Sequence, residues 1–463
     1  MAQVHSIANL IGLKDPNITI IGEVEEVKVN GQKRKVVPAK LTYIPKQCAH
    51  CQVENKSTKD IIKNGTNIST ILVSYQMFIP VYLKLAKQRF LCKHCQRTFI
   101  ASSDIVDRHC YIARSVKQSI TAQLTKQQSM TLIAQMYIVS VSTVIRLLRL
   151  AGKELAPKVL NPHRLPEHLG IDEFKSVKKV KGKMSCILVD THQHQLIDIL
   201  EDRTQAHLRD YFMRYPYEER QKVKTITMDM YRPYYEFLKS IFPNADIIID
   251  RFHIVQHLNR ALNLYRVKVM NQLKYKSPTD YRKLKQQWKL ILKNEDRLDF
   301  EHYQSHRLYE GLVTKKMRVE YLLSLDCRFR LVYDTINHLK YAIDTHDIDL
   351  FNRTLEESKK QTFPRRVRTA INSLYTYYDG IINSLIYNLS NGVVEGLNNK
   401  IKNIKRSGYG YRNFDHLRYR IFLAQNRFIQ DRPTTVVTYA EVEAQRKAEL
   451  EVAKAPQTME CIV

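Results

Sequence analysis

His168-Leu-Gly-Ile-Asp-Glu-Phe174 and Thr225-Ile-Thr-Met-Asp229 decide the reading of this chain, because each sets an aspartate in, or at the end of, a short apolar run. Aspartate is disfavoured in strands, and a carboxylate buried without a partner is costly. Two of them in strands expected to be neighbours call for a compensating cation. Strand-like runs occur at Leu169–Phe174, Met184–Asp190, Gln195–Leu200, Val223–Asp229 and Ala245–Asp250. Helix-like segments fall at Thr204–Met213, Arg232–Ile241 and from Phe252 onward. The order is three strands, helix, strand, helix, strand, helix, which predicts an α/β domain.

From about Ile254 to Ile386 the chain is rich in Lys, Leu and Tyr and lacks strand alternation, so it reads as an all-α insertion. A further helix begins near Asn391, in Ser390-Asn-Gly-Val-Val-Glu-Gly-Leu-Asn-Asn-Lys-Ile-Lys402. Val394, Leu397, Ile401 and Ile404 fall at helical spacing and form its buried stripe. Glu395 projects elsewhere, among Asn398, Asn399, Lys402, Lys405 and Arg406, with no Lys or Arg at i+3 or i+4 to pair with. An acid on a basic, Asn-rich face suits a place where metal and phosphate meet. Phosphodiester cleavage puts charge on both the attacking and the leaving oxygen, and two divalent ions about 3.5–4 Å apart stabilise both. Mg²⁺ (or Mn²⁺) takes the carboxylate, water and phosphate oxygens such a site offers. Asp250 and His253, at the last strand's end, read equally as a brace for the site, a DNA contact, or an N-cap with a packed histidine. Asp250 also competes with Asp229 as the acid beside Asp172.

Towards the N-terminus, four of the eight cysteines form two CxxC pairs, Cys48/Cys51 and Cys92/Cys95. Paired knuckles in a reducing compartment mean metal more often than disulfide. Four thiolates close a tetrahedral zinc site with no open position, so its role is structural. Chance cysteines in a reduced core, or replacement of one thiolate by His50 or His94, are the competing readings. Next come two short helical patterns, Thr131–Tyr137 and Val141–Leu150, joined by a tight turn at Ile138–Ser140. They match helix-turn-helix geometry, with Ser142, Thr143, Arg146 and Arg149 on the outward face of the second helix. An ordinary αα-hairpin is the plainer alternative.

The 463 residues carry 74 Lys and Arg against 46 acids, a formal charge of +28, spread along the chain as befits a long nucleic-acid track. Past Glu395 the track runs through Lys400, Lys402, Lys405, Arg406, Arg412, Arg418 and Arg420, with Tyr409 and Tyr411 interleaved. In the insertion, Lys283 and its basic neighbours read as a DNA clamp, a dimer surface or a solvated face, and Trp288 as core or as a base-stacking wedge. No basic-then-apolar start is present in Met1 to Gly31, and Ile71 to Leu85, broken by Ser74, Gln76 and Lys84, falls short of the roughly 20 apolar residues of a membrane span. A cytoplasmic, nucleoid-associated bacterial protein without membrane contact is expected.

The expected organisation is a lead-in and zinc-ribbon-like module (1–104), a helix-turn-helix domain (105–160), a catalytic domain split into 161–253 and 386–430 around the insertion (254–385), and a charged tail (431–463). Here a resemblance becomes specific. Gly170-Ile-Asp-Glu-Phe174, Met228-Asp-Met-Tyr-Arg-Pro-Tyr234, Asp250-Arg-Phe-His253, Asn391-Gly-Val-Val-Glu-Gly-Leu-Asn-Asn-Lys-Ile-Lys402 and Gly408-Tyr-Gly-Tyr-Arg-Asn-Phe414 resemble the ISL3 family of bacterial insertion-sequence transposases over about residues 40–430. The resemblance implies an RNase H-like catalytic fold and a catalytic triad of Asp172, Asp229 and Glu395. It also implies cut-and-paste or related transposition at terminal inverted repeats of double-stranded DNA, with target DNA as second partner and a homo-oligomer, a dimer on DNA, as the working form. A DNA-binding regulator that kept the fold but not the chemistry, and a structure-specific nuclease that cuts without joining, are the alternative functions.

Overall fold

The computed structural model describes residues 7–430, apart from residues 30, 58, 77, 78, 162, 388 and 390. The tail expected at 431–463 lies outside the described residues. The chain divides into two compact units, one of residues up to Leu155 together with those from Tyr419 on, the other Ala156–Arg418.

The first unit is built on a six-stranded sheet of β1 (Ile18–Ile20), β2 (Glu25–Val29), β3 (Gln32–Leu41), β4 (Ile61–Gln76), β5 (Ile79–Cys92) and β6 (Thr98–Ile100), in the order β1-β3-β5-β4, with β2 on β3 and β6 on β5. Val37, Ala39 and Leu41 on β3, and Val81, Leu83 and Leu85 on β5, alternate into one buried face. Ile18–Ile20, Glu25–Val29 and Gln32–Leu41, in the stretch expected as a lead-in, are therefore strands of the sheet. Lys33, Arg34, Lys35 and Pro38 mask the alternation of β3, and proline argues against a strand from sequence alone. Three helices follow, Arg114–Gln123, Met130–Met136 and Val141–Val159. The C-terminal helix, Phe414–Gln430, completes this unit: Leu423 lies in its core, and Arg420 donates to the carbonyls of Lys126 and Gln128. Gly152 makes room for Tyr419, since a Cβ there would stand 2.2 Å from its ring.

The second unit is mixed α/β. Its sheet contains β7 (His168–Lys175), β8 (Met184–Asp190), β9 (Gln195–Leu200), β10 (Thr225–Met228) and β11 (Asp246–Ile249), ordered β11-β10-β7-β8-β9. Strands β7, β8 and β9 run antiparallel in succession, whereas β10 is parallel to β7 and β11 parallel to β10. All four residues of β10 are buried, as a strand covered on both faces requires. Helix Arg251–Leu273 leads from β11 into the insertion. The insertion shares one apolar cluster with the sheet, running from Leu188, Ile226 and Ile249 through Leu258 to Leu322, Ile336 and Leu374. It is not all-α: Gln304–Ser305 pairs antiparallel with Leu312–Val313, a ladder too short for sequence periodicity to reveal. Among the described residues, no single helix is long and apolar enough to cross a membrane.

Candidate active site

Strand register brings the acids together. Thr227 on β10 is level with Gly170 on β7, and Met228 is level with Ile249 on β11. Continuing both registers past the end of β10 sets Asp229 beside Asp172 on one side and Asp250 on the other. Because the three strands are parallel, the three aspartates lie at one level of the sheet, Asp229 and Asp250 just past the ends of β10 and β11 and Asp172 within β7. The backbone N–H of Asp250 donates to the carbonyl of Met228 at 3.0 Å, locking this level. Asp250 then caps helix Arg251–Leu273 by accepting from the N–H of Phe252 at 3.1 Å. The cap turns His253 back onto the cluster, where its Nε2 lies 3.0 Å from Oδ1 of Asp229. Ligand atoms of Asp229, Asp250 and His253 all fall within 4.8 Å of one another. The structure thus joins Asp250 to Asp229 in one group instead of choosing between them, and the N-cap role coexists with membership of the cluster.

Glu395 arrives from the far side of the sequence. Its helix, Gly392–Ser407, can approach β7 because residue 170 is glycine: a Cβ there would stand 2.7 Å from Cγ2 of Val394 and 2.7 Å from Cγ2 of Thr191. Asn398, one turn past Glu395 and buried, donates from its amide to Oδ2 of Asp172. Lys405 ties down the end of the helix by donating to the backbone carbonyls of Lys175 and Ser176. Glu395 itself is exposed in the first helical turn. Gly170→Ala should therefore force the helix off the sheet, costing about 1–3 kcal/mol and most of the cleavage activity. Gly396→Ala, where an added Cβ meets nothing within 4 Å, is the control and should hold or raise Tm.

The cluster is electrostatically frustrated without a cation. Burial, then the charge of Asp229, push the carboxyl of Asp172 up to about 6, against the N–H of Glu173 and the amide of Asn398. Asp250 is raised by burial first, opposed by the Phe252 N–H, with Asp229 and Glu395 adding like charge. The hydrogen bond to Asp229 raises His253 and so favours its imidazolium, which offsets only part of this repulsion. The amide oxygen of Asn398 is buried without a hydrogen-bond partner among the described residues. Hard oxygen donors, mutual repulsion and an orphaned acceptor fit a divalent cation.

The four knuckle cysteines converge as well. Cys48 Sγ lies 3.7 Å from Cys95 Sγ, and Cys51 Sγ 3.7 Å from Cys92 Sγ, with all four sulfurs within 4.8 Å of one another. Gln52 and Gln96, each following the second cysteine of a pair, take left-handed backbone (φ 59° and 56°), which closes each knuckle. Burial opposes ionisation of Cys48, but the N–H groups of Cys51 and His50 aimed at its sulfur outweigh it and bring the thiol down to about 6. The ring of His50 points instead at the carbonyl of Thr98. This four-sulfur cluster can hold a zinc ion.

Helices Met130–Met136 and Val141–Val159 bend 112° apart across Tyr137–Ser140, within the range of helix-turn-helix pairs. Ser129 caps the first through the N–H of Leu132, and Ser140 accepts from the N–H of Thr143 at 3.2 Å. Val144, Leu147 and Leu148 are buried, and Val141 is exposed. Ser142, Arg146 and Arg149 are exposed and Thr143 half-exposed.

On the Glu395 helix, Asn399, Lys402 and Arg406 are exposed, whereas Asn398 and Lys405, expected to face DNA, turn inward to the partners given above. Arg418 pairs with buried Asp198 at 2.7 Å, and Arg420 is buried, so the end of the basic track is structural. Lys283 also departs from a clamp: it lies against the Tyr321 ring, 3.8 Å from its centre. Trp288 is 41% exposed and not core. Sequence reasoning missed Asn398 as the partner of Asp172 and Gly170 as the helix seat; the glycine inside a strand was the available signal.

Residues 169–421 match the DDE transposase family model of the ISL3 type. The chain is 26% identical over 342 residues, 73% of its length and 79% of the relative's, to the transposase for insertion sequence element IS1001 of Bordetella parapertussis. A shorter stretch of 105 residues is 30% identical to a Lactococcus lactis subsp. lactis protein named ATP-dependent protease, covering 23% of this chain and 33% of that one. The matched span runs from the second residue of β7 through β11, the insertion and the Glu395 helix. With more than half of its length in the family match and an insertion-sequence transposase among its relatives, the chain belongs to the ISL3 family of DDE transposases and is a DNA-cleaving transposase of an insertion sequence.

Proposed function

We propose that Asp172, Asp229 and Glu395 form the catalytic triad of an RNase H-like domain, that Asp250 and His253 support it, and that it takes two Mg²⁺ ions. The strand order β11-β10-β7-β8-β9, with β7, β8 and β9 antiparallel, supports the fold assignment. The observation that carries the site is the alignment of three aspartates on three adjoining parallel strands, with the Glu395 helix seated on Gly170. Bound divalent ions supply Lewis-acid stabilisation of the attacking and leaving oxygens. The chain does the positioning. Asn398 orients Asp172, the Asp250 cap orients His253, and His253 holds Asp229. Exposed Asn399, Lys402 and Arg406 beside Glu395 receive the DNA backbone.

The substrate in this reading is the terminal inverted repeat, cut and then joined to target DNA by a dimer, since two ends must meet one target. The helix Val141–Val159 reads the end, and the zinc-bound knuckles brace that unit. Incubating the protein with the DNA flanking its coding sequence and Mg²⁺, then mapping nicks and joints, tests this. Cuts at the repeat ends with strand-transfer products are expected; cuts without joints would reassign it as a nuclease, and binding without cuts as a regulator. Arg146→Ala should reduce discrimination between cognate and random ends about 10-fold, the ~1–3 kcal/mol of one base contact. An unchanged affinity ratio would remove this helix as the reader.

A further inference from the structure

Next to the acidic cluster lies a cavity of about 740 Å³, lined by His253 and Met230 at its catalytic end and continuing along the polar face of helix Arg251–Leu273. Gln256, His257, Asn259 and Arg260 extend that face, and Tyr377 stands opposite from the insertion. The volume lies in the range that takes one small organic ligand, room for a nucleotide or two. The lining has the chemistry of a nucleotide. Gln256 and Asn259 offer paired amide donors and acceptors of the kind that match base edges. Arg260 is an exposed guanidinium suited to a phosphate. Tyr377 is buried, its ring packed edge-on against Tyr235, and closes the cavity as a wall. The amide oxygen of Asn259 is buried and has no hydrogen-bond partner among the described residues, a vacancy a bound donor would fill. Because His253 belongs to both the cavity and the cluster, any strand occupying the cavity continues directly into the site of chemistry.

We propose that this cavity receives one or two unpaired nucleotides of the DNA strand adjoining the phosphodiester under attack. The proposal rests on the acidic cluster being the cleavage site. End DNA must then open locally at the cut, and the cavity stabilises the opened form. The test uses the full chain and fluorescence anisotropy with two DNAs built from the sequence flanking its gene. One is fully paired; the other is forked, with unpaired nucleotides at the cleavage position. The wild type should bind the forked DNA about 10-fold more tightly, the scale of one amide contact to a base edge. Gln256→Ala and Arg260→Ala, both at exposed positions, should lose this preference while binding paired DNA as before. Equal affinity of the wild type for the two DNAs, or a preference retained in both variants, overturns the proposal. Cleavage by Asp229→Asn is measured in parallel. If that variant cuts normally, the site assignment has failed; if it is inactive while fork preference is absent, only the cavity proposal has.

Discussion

Asp229→Asn should lower end cleavage by at least about 10²-fold, the loss typical of removing a group that organises charge around a transition state, while end binding stays as it was. Asparagine keeps the shape and gives up the charge that draws a cation into the cluster. The same change carries a stability signature that separates it from misfolding. In the wild type without divalent ions, Asp229 is the charge that, after burial, holds the Asp172 carboxyl up at about 6. A folded-state pKa raised above the unfolded value means that ionising Asp172 opposes folding. That penalty is absent below about pH 4, develops between about pH 4 and 6, and is full above. Asp229→Asn relieves that repulsion but also removes the partner of His253, whose raised pKa marks stability present at low pH, so its effect on Tm in chelator should be unfavourable near pH 4 and grow more favourable towards pH 8. Thermal melts across that range, alongside cleavage assays, check both halves. Cleavage at the wild-type rate from Asp229→Asn, with loss from Asp250→Asn, would transfer the ligand role to Asp250.

Cys92→Ser should unfold the N-terminal unit and abolish end recognition. Structural zinc contributes on the order of 10 kcal/mol in small zinc modules, comparable with the ~5–15 kcal/mol total stability of an ordinary domain. Cys48 and Cys92 are buried in the same apolar cluster that contains Ile133 and Val144 of the helix-turn-helix, so loss of the ion reaches the reading helix through packing. Prolonged chelation should give the same loss, and added zinc should restore the wild type but not the variant. Metal analysis of the purified protein should find one zinc per chain. Finding none, with recognition intact, would end the zinc assignment.

Much of the second unit is legible in sequence because its strands are short, apolar and separated by helical periods. The run expected at Val223–Asp229 is observed at Thr225–Met228, placing Asp229 just past the strand's end, where its carboxylate can emerge at the edge. The acids betray themselves by sitting where acids are unfavourable. What sequence does not display is the choice of inward partners. Asn398 flanks the apolar stripe of its helix, and only the distant Asp172 turns it inward. Lys405 looks like any basic surface residue until the carbonyls at the end of β7 are placed before it. In the first unit, the charged and proline-bearing β3 hides an interior strand, since Val37, Ala39 and Leu41 are separated by Pro38 and Lys40.

The return of the C-terminal helix has a consequence for how the protein is made. Leu423 and Arg420 belong to the core and hydrogen bonds of a unit whose other parts end at Leu155. During translation that unit must wait for the whole intervening catalytic segment before its last piece leaves the ribosome. A prematurely terminated product would thus lack part of the core under helices Met130–Met136 and Val141–Val159 and, in the proposed reading, would compete poorly for the element's ends.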